Sequence, residues 1–421
     1  MNTVGKRWYW APALLLVAAL ALALGGLQPA EAKSVKKIKP YVLGMHSDNS
    51  DPMVTSGSLR TFTPLWRQIQ PSRGTFNWAP MDQRIEQIRS WGYKDILFVF
   101  VGTPQWAAGP VRDPGSESFG PGSTSAPTSM SDWKTFVTAV AKRYKGKIKN
   151  YQIWNEITSP NFYQGTPNQM AKMTKIAYKA IRSADSKARV ISASVQTHKG
   201  RQYAYDNVAK PYFKKLQSMK WPVTHVSGHF YPLPTSPGKW NSAGPDERLR
   251  QIDMFKKTMK QYRLPSSKEI WDTESSFAVG QRTDPGEPDG RITGNKAATW
   301  VARNYLDTWR SGLTRSYWYA WTTEYNYFPG VQLFPGLAST AAFNTFGKWV
   351  KGASYKGCSD KGKLVVCKFV KSGKSFAIAF TTKGKSTYTF GGKKSVCPVY
   401  GGSCTKVKKK TVVRKMPVKI G

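Results

Sequence analysis

The sequence predicts an α/β chain: a (β/α)8 TIM barrel followed by a small C-terminal antiparallel β-sandwich-like domain. Three observations predict it. Between about residues 33 and 350, short β-rich runs alternate with amphipathic helical stretches, the pattern of a parallel sheet wrapped by helices. Eight such runs can be counted, the number that closes a barrel. From Gly352 onward the periodicity changes to two, with Gly, Lys and Ser turns between the runs.

The chain has 421 residues and opens on an export-signal pattern. Lys6 and Arg7 form the positive start, an apolar run follows over residues 11–27, and Ala30-Glu31-Ala32 offers a small-residue cleavage site. Residues 1–32 are therefore expected to be removed, although an uncleaved run of this length would act as an anchor. A secreted protein follows, with residues 33–350 as barrel and 351–421 as a Lys-rich β-domain.

The barrel strands are expected at residues 41–46, 58–62, 95–101, 151–156, 189–195, 223–231, 269–274 and 316–321. Helices are expected at 81–91, 131–144, 167–184, 206–219, 247–262, 297–310 and 339–350. In the first of these Met81, Ile85, Ile88 and Trp91 recur at helical spacing and Gly92 ends the run. Ser131 is the expected N-cap of the second. No helix is evident between the first two strands. Residues 109–128, rich in Gly, Pro and Ser, read as a long loop after strand three.

In the C-terminal region, period-two runs cover residues 363–370, 375–381, 386–390 and 406–413, and residues 416–420 read as a closing edge strand. Cys358, Cys367, Cys397 and Cys404 all fall here. An even count in an exported chain points to two disulfides among three pairings, and Cys358–Cys367 with Cys397–Cys404 is preferred because each brackets a short loop. No His lies near them and no C-x-x-C occurs, so metal binding is disfavoured.

Lys and Arg outnumber Asp and Glu by 64 to 24, a net charge of +40. Between Lys348 and Gly421 stand 18 Lys and one Arg against a single acid, Asp360. So basic a surface attracts polyanions. Export and the lack of a helix-turn-helix, zinc-finger or RNA-stacking motif argue against nucleic acid. Anionic cell-surface polymers or acidic polysaccharides fit better, with a merely solubilising surface as the alternative. No stable protein partner is implied. The 16 Trp fit a carbohydrate site, because indole faces stack on sugar rings, although any single Trp more often belongs to a core.

Barrel chemistry sits where strands end, so a functional polar residue should close its strand. Tyr151-Gln152-Ile153-Trp154-Asn155-Glu156 does this on strand four, and Glu269-Ile270-Trp271-Asp272-Thr273-Glu274 on strand seven. Two carboxyls across a barrel mouth are what glycoside hydrolysis needs. One stays protonated to serve the leaving oxygen, the other ionised to attack the anomeric carbon, and a separation of about 5 Å gives retention. Either Glu alone would more often be a rim ion pair. Asp272 is expected to face the helices, opposite to Glu274. The reaction calls for no metal or cofactor. No H-E-x-x-H, G-x-S-x-G or G-x-x-x-x-G-K-[ST] motif occurs.

Ile153-Trp154-Asn155-Glu156 resembles the acid/base signature of the clan A glycoside hydrolases, the group that includes family-five cellulases and family-thirty-nine xylosidases. Trp271-Asp272-Thr273-Glu274 resembles their nucleophile strand. The resemblance extends from about Tyr41 to Val350. It implies Glu156 as acid/base, Glu274 as nucleophile, Asn155 on the sugar 2-hydroxyl and Arg60 supporting the nucleophile. It also implies His229 and Tyr231 as the His-x-Tyr pair, and Trp321, ahead of Trp318, as the aromatic platform. Many members carry Pro directly after the acid/base, whereas this chain continues Ile157-Thr158-Ser159-Pro160-Asn161.

His46 reads equally as a sugar ligand or a structural residue, and His198 and His225 as structural. Trp106 leads the candidate subsite walls, ahead of Trp66, Trp240, Tyr325 and Tyr327, with Trp78 assigned to the core. Glu324 is a further carboxylate near the mouth. The alternatives to a retaining hydrolase are a catalytically silent barrel that binds cell-surface polysaccharide and, among enzymes, an exo-acting β-xylosidase rather than an endo-glycanase.

Overall fold

The computed structural model describes residues 42–233, 244–277, 292–321 and 330–421. The expected export signal, Trp240, Glu324, Tyr325 and Tyr327 lie outside the described residues. Among those residues no helix is long and apolar enough to cross a membrane.

Eight parallel strands close into a barrel in chain order, β8 pairing back onto β1. They are β1 (Leu43–His46), β2 (Ser58–Thr61), β3 (Ile96–Val99), β4 (Asn150–Gln152), β5 (Arg189–Ile191), β6 (His225–His229), β7 (Glu269–Ser275) and β8 (Arg315–Trp318). Helices α1 (Trp66–Ile69) and α2 (Ala79–Ser90) follow β2, α3 (Met130–Arg143) follows β3 and α4 (Pro167–Ala184) follows β4. Then come α5 (Gln202–Ala204) and α6 (Lys210–Ser218), α7 (Pro245–Gln261), α8 (Gly294–Arg310) and α9 (Ala338–Val350).

The helix ends obey local chemistry. Gly92, at φ +88°, takes the left-handed conformation that stops α2. Thr166 caps α4 reciprocally: its hydroxyl accepts the Gln169 N–H at 3.2 Å, while Gln169 Oε1 accepts the Thr166 N–H at 2.8 Å. The cap of α3 is Ser129 rather than Ser131, because α3 begins two residues earlier at Met130 and Ser129 Oγ accepts the Ser131 N–H.

The strands are shorter than the apolar runs suggested. β4 ends at Gln152, and Ile153 to Glu156 continue past the regular ladder, which places Asn155 and Glu156 at the mouth rather than in the wall. No helix joins β1 to β2 among the described residues. Residues 47–57 cross that gap and are held by the last helix: Asn344 of α9 accepts from the Thr55 N–H at 2.7 Å and from its hydroxyl at 3.0 Å. Tyr305 of α8 likewise donates to the Gly44 carbonyl at 3.1 Å.

Inside the barrel Leu97, Ile191, Trp271 and Tyr317 form an apolar layer, with the buried Arg315–Asp95 pair against it. Gly44 completes it without a side chain, since a Cβ there would lie 2.4 Å from the Tyr317 ring. Above it the interior turns polar with Arg60, Gln152, His229 and Thr273, all buried. That change of character positions the site.

The C-terminal region is a six-stranded antiparallel sheet in the order β13-β12-β14-β11-β10-β9. Its strands are β9 (Ser354–Lys361), β10 (Leu364–Lys371), β11 (Lys374–Thr381), β12 (Ser386–Pro398), β13 (Thr405–Val413) and β14 (Val418–Ile420). The closing segment is not an edge strand: β14 sits between β11 and β12 and pairs with both, and Ile420 is buried. β9, which carries no apolar alternation, was not expected. Disulfides join Cys358 to Cys367 and Cys397 to Cys404, the preferred pairing.

One face of the sheet (Val365, Cys367, Phe369, Phe376, Ile378 and Phe380) shares a core with α8 and α9. Trp309 of α8 meets Tyr355 and Phe369 with ring centroids 5.9 and 6.1 Å apart. Consequently every residue of α8 from Ala297 to Trp309 is buried, as expected of a helix covered on both sides.

Candidate active site

The mouth of the barrel gathers six side chains named from the sequence. Arg60, at the end of β2, is fully buried; its Nη1 lies 2.6 Å from Glu274 Oε1, and its Nη2 donates to Asn155 Oδ1 at 2.9 Å. Tyr231 donates its hydroxyl to Glu274 Oε2 at 2.9 Å. His229 Nδ1 stands 2.8 Å from Glu156 Oε1 and 3.4 Å from Glu274 Oε2. Ligand atoms of Glu156, His229 and Glu274 all fall within 4.8 Å of one another.

Glu156 and Glu274 reach the mouth by different local devices. Glu156 has φ +34°, a strained value for a residue with a side chain, held in place by its backbone N–H on Ser194 Oγ at 2.9 Å. On β7 the register against β6 slips, so that Gly228 pairs with Asp272 but His229 with Glu274. This bulge explains why Asp272 faces the helices. On a regular strand, residues two apart share a face, and the inserted residue separates them. Asp272 binds Arg248 of α7 at 2.5 Å and Ser316 at 3.0 Å.

The environments of the titrating groups differ. Burial pushes Glu156 up to about 7, against the lowering pull of Arg60, Arg201 and the Gln196 hydrogen bond. Burial drives His229 down to about 3, so it is neutral and carries one ring proton. Gln152 donates to Thr273 Oγ1 at 3.1 Å, leaving the threonine hydrogen for His229 Nε2, also at 3.1 Å. The ring proton then belongs on Nδ1, between the two carboxylates.

His46 braces the site instead of facing it. Arg60 donates to Nδ1 at 3.0 Å, so Nε2 carries the hydrogen toward Asp48 at 2.8 Å. Trp106 is placed structurally: its indole donates to the Gln70 carbonyl at 3.0 Å, its ring meets Trp66 edge-on, and Arg73 covers it. Trp321 and Trp318 are buried in the cluster behind β8, at 3% and 0% exposure, where neither offers a platform. Trp66 stacks on Phe136 in the core, and Trp78 stacks on Phe76 beneath Arg143. His198 begins a short turn after β5, and His225 lies at the opposite end of β6 from His229, near Glu269.

Several contributors were missed. Tyr319, directly after β8, is the half-buried aromatic whose ring meets His46 at 4.8 Å and Tyr231 at 6.3 Å. Counting strand ends could not separate it from its tryptophan neighbours. Gln196, which donates to Glu156 Oε2 at 2.9 Å, follows the expected fifth strand directly and was open to the strand-end rule. Phe62, Phe119 and Phe162 extend a row of rings from His46 at spacings of 5.2, 5.8 and 5.8 Å. They come from three separate connections, so no sequence pattern unites them.

No family model matches the sequence. Two curated relatives match a part of it: endo-1,4-beta-xylanase 1 of Gibberella zeae, 29% identical over 31% of this chain and 36% of its own, and endo-1,4-beta-xylanase A of Fusarium oxysporum f. sp. lycopersici, 27% identical over 32% and 40%. The match thus spans two fifths or less of those relatives. Among solved structures, a family 39 glycoside hydrolase from Bacteroides cellulosilyticus aligns with a TM-score of 0.63, 17% identity, and coverage of 91% of this chain and 81% of its own. A family 39 beta-xylosidase from Caulobacter crescentus gives 0.64, 12%, 93% and 97%. A family 30 endoxylanase from Clostridium papyrosolvens gives 0.58, 13%, 92% and 97%. In fold, the chain is similar to these glycoside hydrolases.

Proposed function

We propose that the protein is a secreted retaining glycoside hydrolase acting on β-linked poly- or oligosaccharide. The observation that carries this reading is the Glu156–Glu274 pair, with carboxylate oxygens within 4.8 Å of each other and opposite local settings. That spacing suits a covalent intermediate; an inverting pair would need room for a water between the groups, at about 6.5–9.5 Å. Export is supported by the leader pattern and by the two disulfides. The names of the relatives and neighbours make xylan-type β-1,4 chains the first substrates to try.

Glu274 attacks the anomeric carbon, and the glycosidic C–O bond breaks as Glu156 gives its proton to the leaving oxygen. Water then loses a proton to Glu156 and displaces Glu274, restoring both groups with net retention. Arg60 and Tyr231 hold the Glu274 carboxylate and aim it. Asn155 gives its carbonyl oxygen to Arg60 and keeps its NH2 group for the sugar 2-hydroxyl. His229 Nδ1–H binds whichever carboxylate carries charge at each stage. Tyr319 supplies the platform.

A binding-only barrel has no use for a carboxyl raised toward neutrality beside one clamped by an arginine. The test is reducing-sugar release from neutral and acidic polysaccharides by wild type, Glu156→Gln and Glu274→Gln. Cleavage of one polymer by wild type, falling by orders of magnitude in both variants, is expected. Equal binding with no cleavage by any of the three would establish the silent barrel instead.

A further inference from the structure

The sheet face turned away from α8 and α9 carries a groove of about 340 Å³. Register defines its floor: Lys368 pairs with Ala377, and Ala377 with Ile420, so all three share that face. Tyr388 and Phe390 of β12 form a wall, both half-buried, with ring centroids 6.0 Å apart. Lys356, Lys368 and Lys394 line it, and no acidic residue does. Among the described residues none of these lysines has an ion-pair partner, and the one acid of the region, Asp360, is engaged by Arg310.

Half-exposed rings beside unpaired ammonium groups offer an apolar face for a sugar ring and counter-charge for its carboxylate. The volume lies at the small end of the ~300–1,000 Å³ range of ligand pockets, room for about one or two sugar rings. We propose that this groove binds anionic, uronate-bearing glycan at a second carbohydrate site, separate from the barrel mouth. The choice of glycan over nucleic acid, whose bases also stack on aromatic rings, rests on the hydrolase reading of the barrel.

The test uses full-length Glu274→Gln protein, which holds substrate without turnover, titrated calorimetrically with oligogalacturonate, neutral xylo-oligosaccharide and oligothymidylate. Oligogalacturonate should bind tighter than oligothymidylate, and neutral xylo-oligosaccharide should bind at the barrel mouth alone, indifferent to the groove variants. Lys368→Ala, Lys394→Ala and Tyr388→Ala should each weaken it about tenfold, while Lys187→Ala, an exposed lysine at the barrel base, leaves it unchanged. Lys368 is exposed, so its truncation leaves the fold intact, which thermal melting checks. Groove variants no weaker toward oligogalacturonate than the Lys187 control, groove variants that weaken neutral xylo-oligosaccharide by the same factor, or tighter binding of oligothymidylate would each overturn the proposal. Reducing-sugar release by wild type is scored separately: an inactive barrel with a binding groove removes only the hydrolase reading, and an active barrel with an indifferent groove removes only this one.

Discussion

The proposed reaction needs a carboxyl kept from ionising near neutrality, and burial pushes Glu156 toward that range. Its acid form is lost as pH rises through about 7, so kcat/KM should fall on an alkaline limb near that value. The same shift bears on stability. The folded value exceeds the ordinary 4.5, so the native state binds more protons across that window and loses stability as pH rises through it. The difference is on the order of 3 kcal/mol above pH 7. Glu156→Gln should therefore melt higher than wild type at pH 8 and level with it below pH 4.5; equal melting at both would show that Glu156 titrates normally. Tyr231→Phe removes one donor to a charged acceptor, and kcat/KM should drop about 10–100-fold with little change in melting temperature. Glu156 and Glu274 stood out because each closes an expected strand, whereas Asn155, Arg60, His229 and Tyr231 were named from the family resemblance, and the six meet at the mouth. Thr273 and Gln196 were left unassigned, since they bond to His229 and Glu156 without being groups a reaction scheme names.

The long connection after β3 acts as one element, and its anchors lie far away in sequence. Gln164 accepts the Asp113 N–H at 2.7 Å and donates to the Asp113 carbonyl at 2.8 Å, while Arg67 donates to the Phe119 carbonyl. These bonds hold Phe119 between Phe62 and Phe162. Gln164→Ala should free the loop and raise KM for polymer several-fold while kcat on a short aryl glycoside stays within about twofold; Phe119→Ala should do the same. Kinetics on the two substrates checks it, and equal losses on both would mean that the loop supports the carboxylates rather than the polymer. The run of Gly, Pro and Ser told that a loop stood here, but hydrophobic pattern has no record of side chains that reach across 51 positions. The end of β4 and the bulge of β7 escaped for a related reason. An apolar run continues past the last regular hydrogen bond, and one inserted residue leaves alternation intact on either side of it.

At the scale of the molecule, barrel and sheet are joined by a continuous apolar cluster rather than by a linker. Phe369, fully buried, stacks on Phe376 and touches Trp309 and Tyr355. Phe369→Ala should cost about 3–5 kcal/mol and lower a single denaturation midpoint followed by tryptophan fluorescence and by activity together. Two separated transitions would mean that the cluster does not couple the parts. Composition made the change of character at Gly352 plain, and the eight alternating runs gave the barrel. The central place of β14 could not be read, because a three-residue strand at the chain end looks alike whether it lies at an edge or between neighbours.

The gap between β1 and β2 bears on how the molecule is made. A strand pair elsewhere in the barrel is covered by the helix that follows within a few dozen residues. This pair leans on Asn344, whose contact to Thr55 spans 289 positions. At about 5–20 residues per second, synthesis of that interval takes roughly 15–60 s. For that time the opening strands have Arg84 of α2 and Tyr93 against them but lack α8 and α9, and the barrel cannot be sealed until nearly its whole length has emerged. Any helper that shields apolar strands during synthesis or export should therefore be needed most at the start of this chain, and released only when α9 arrives.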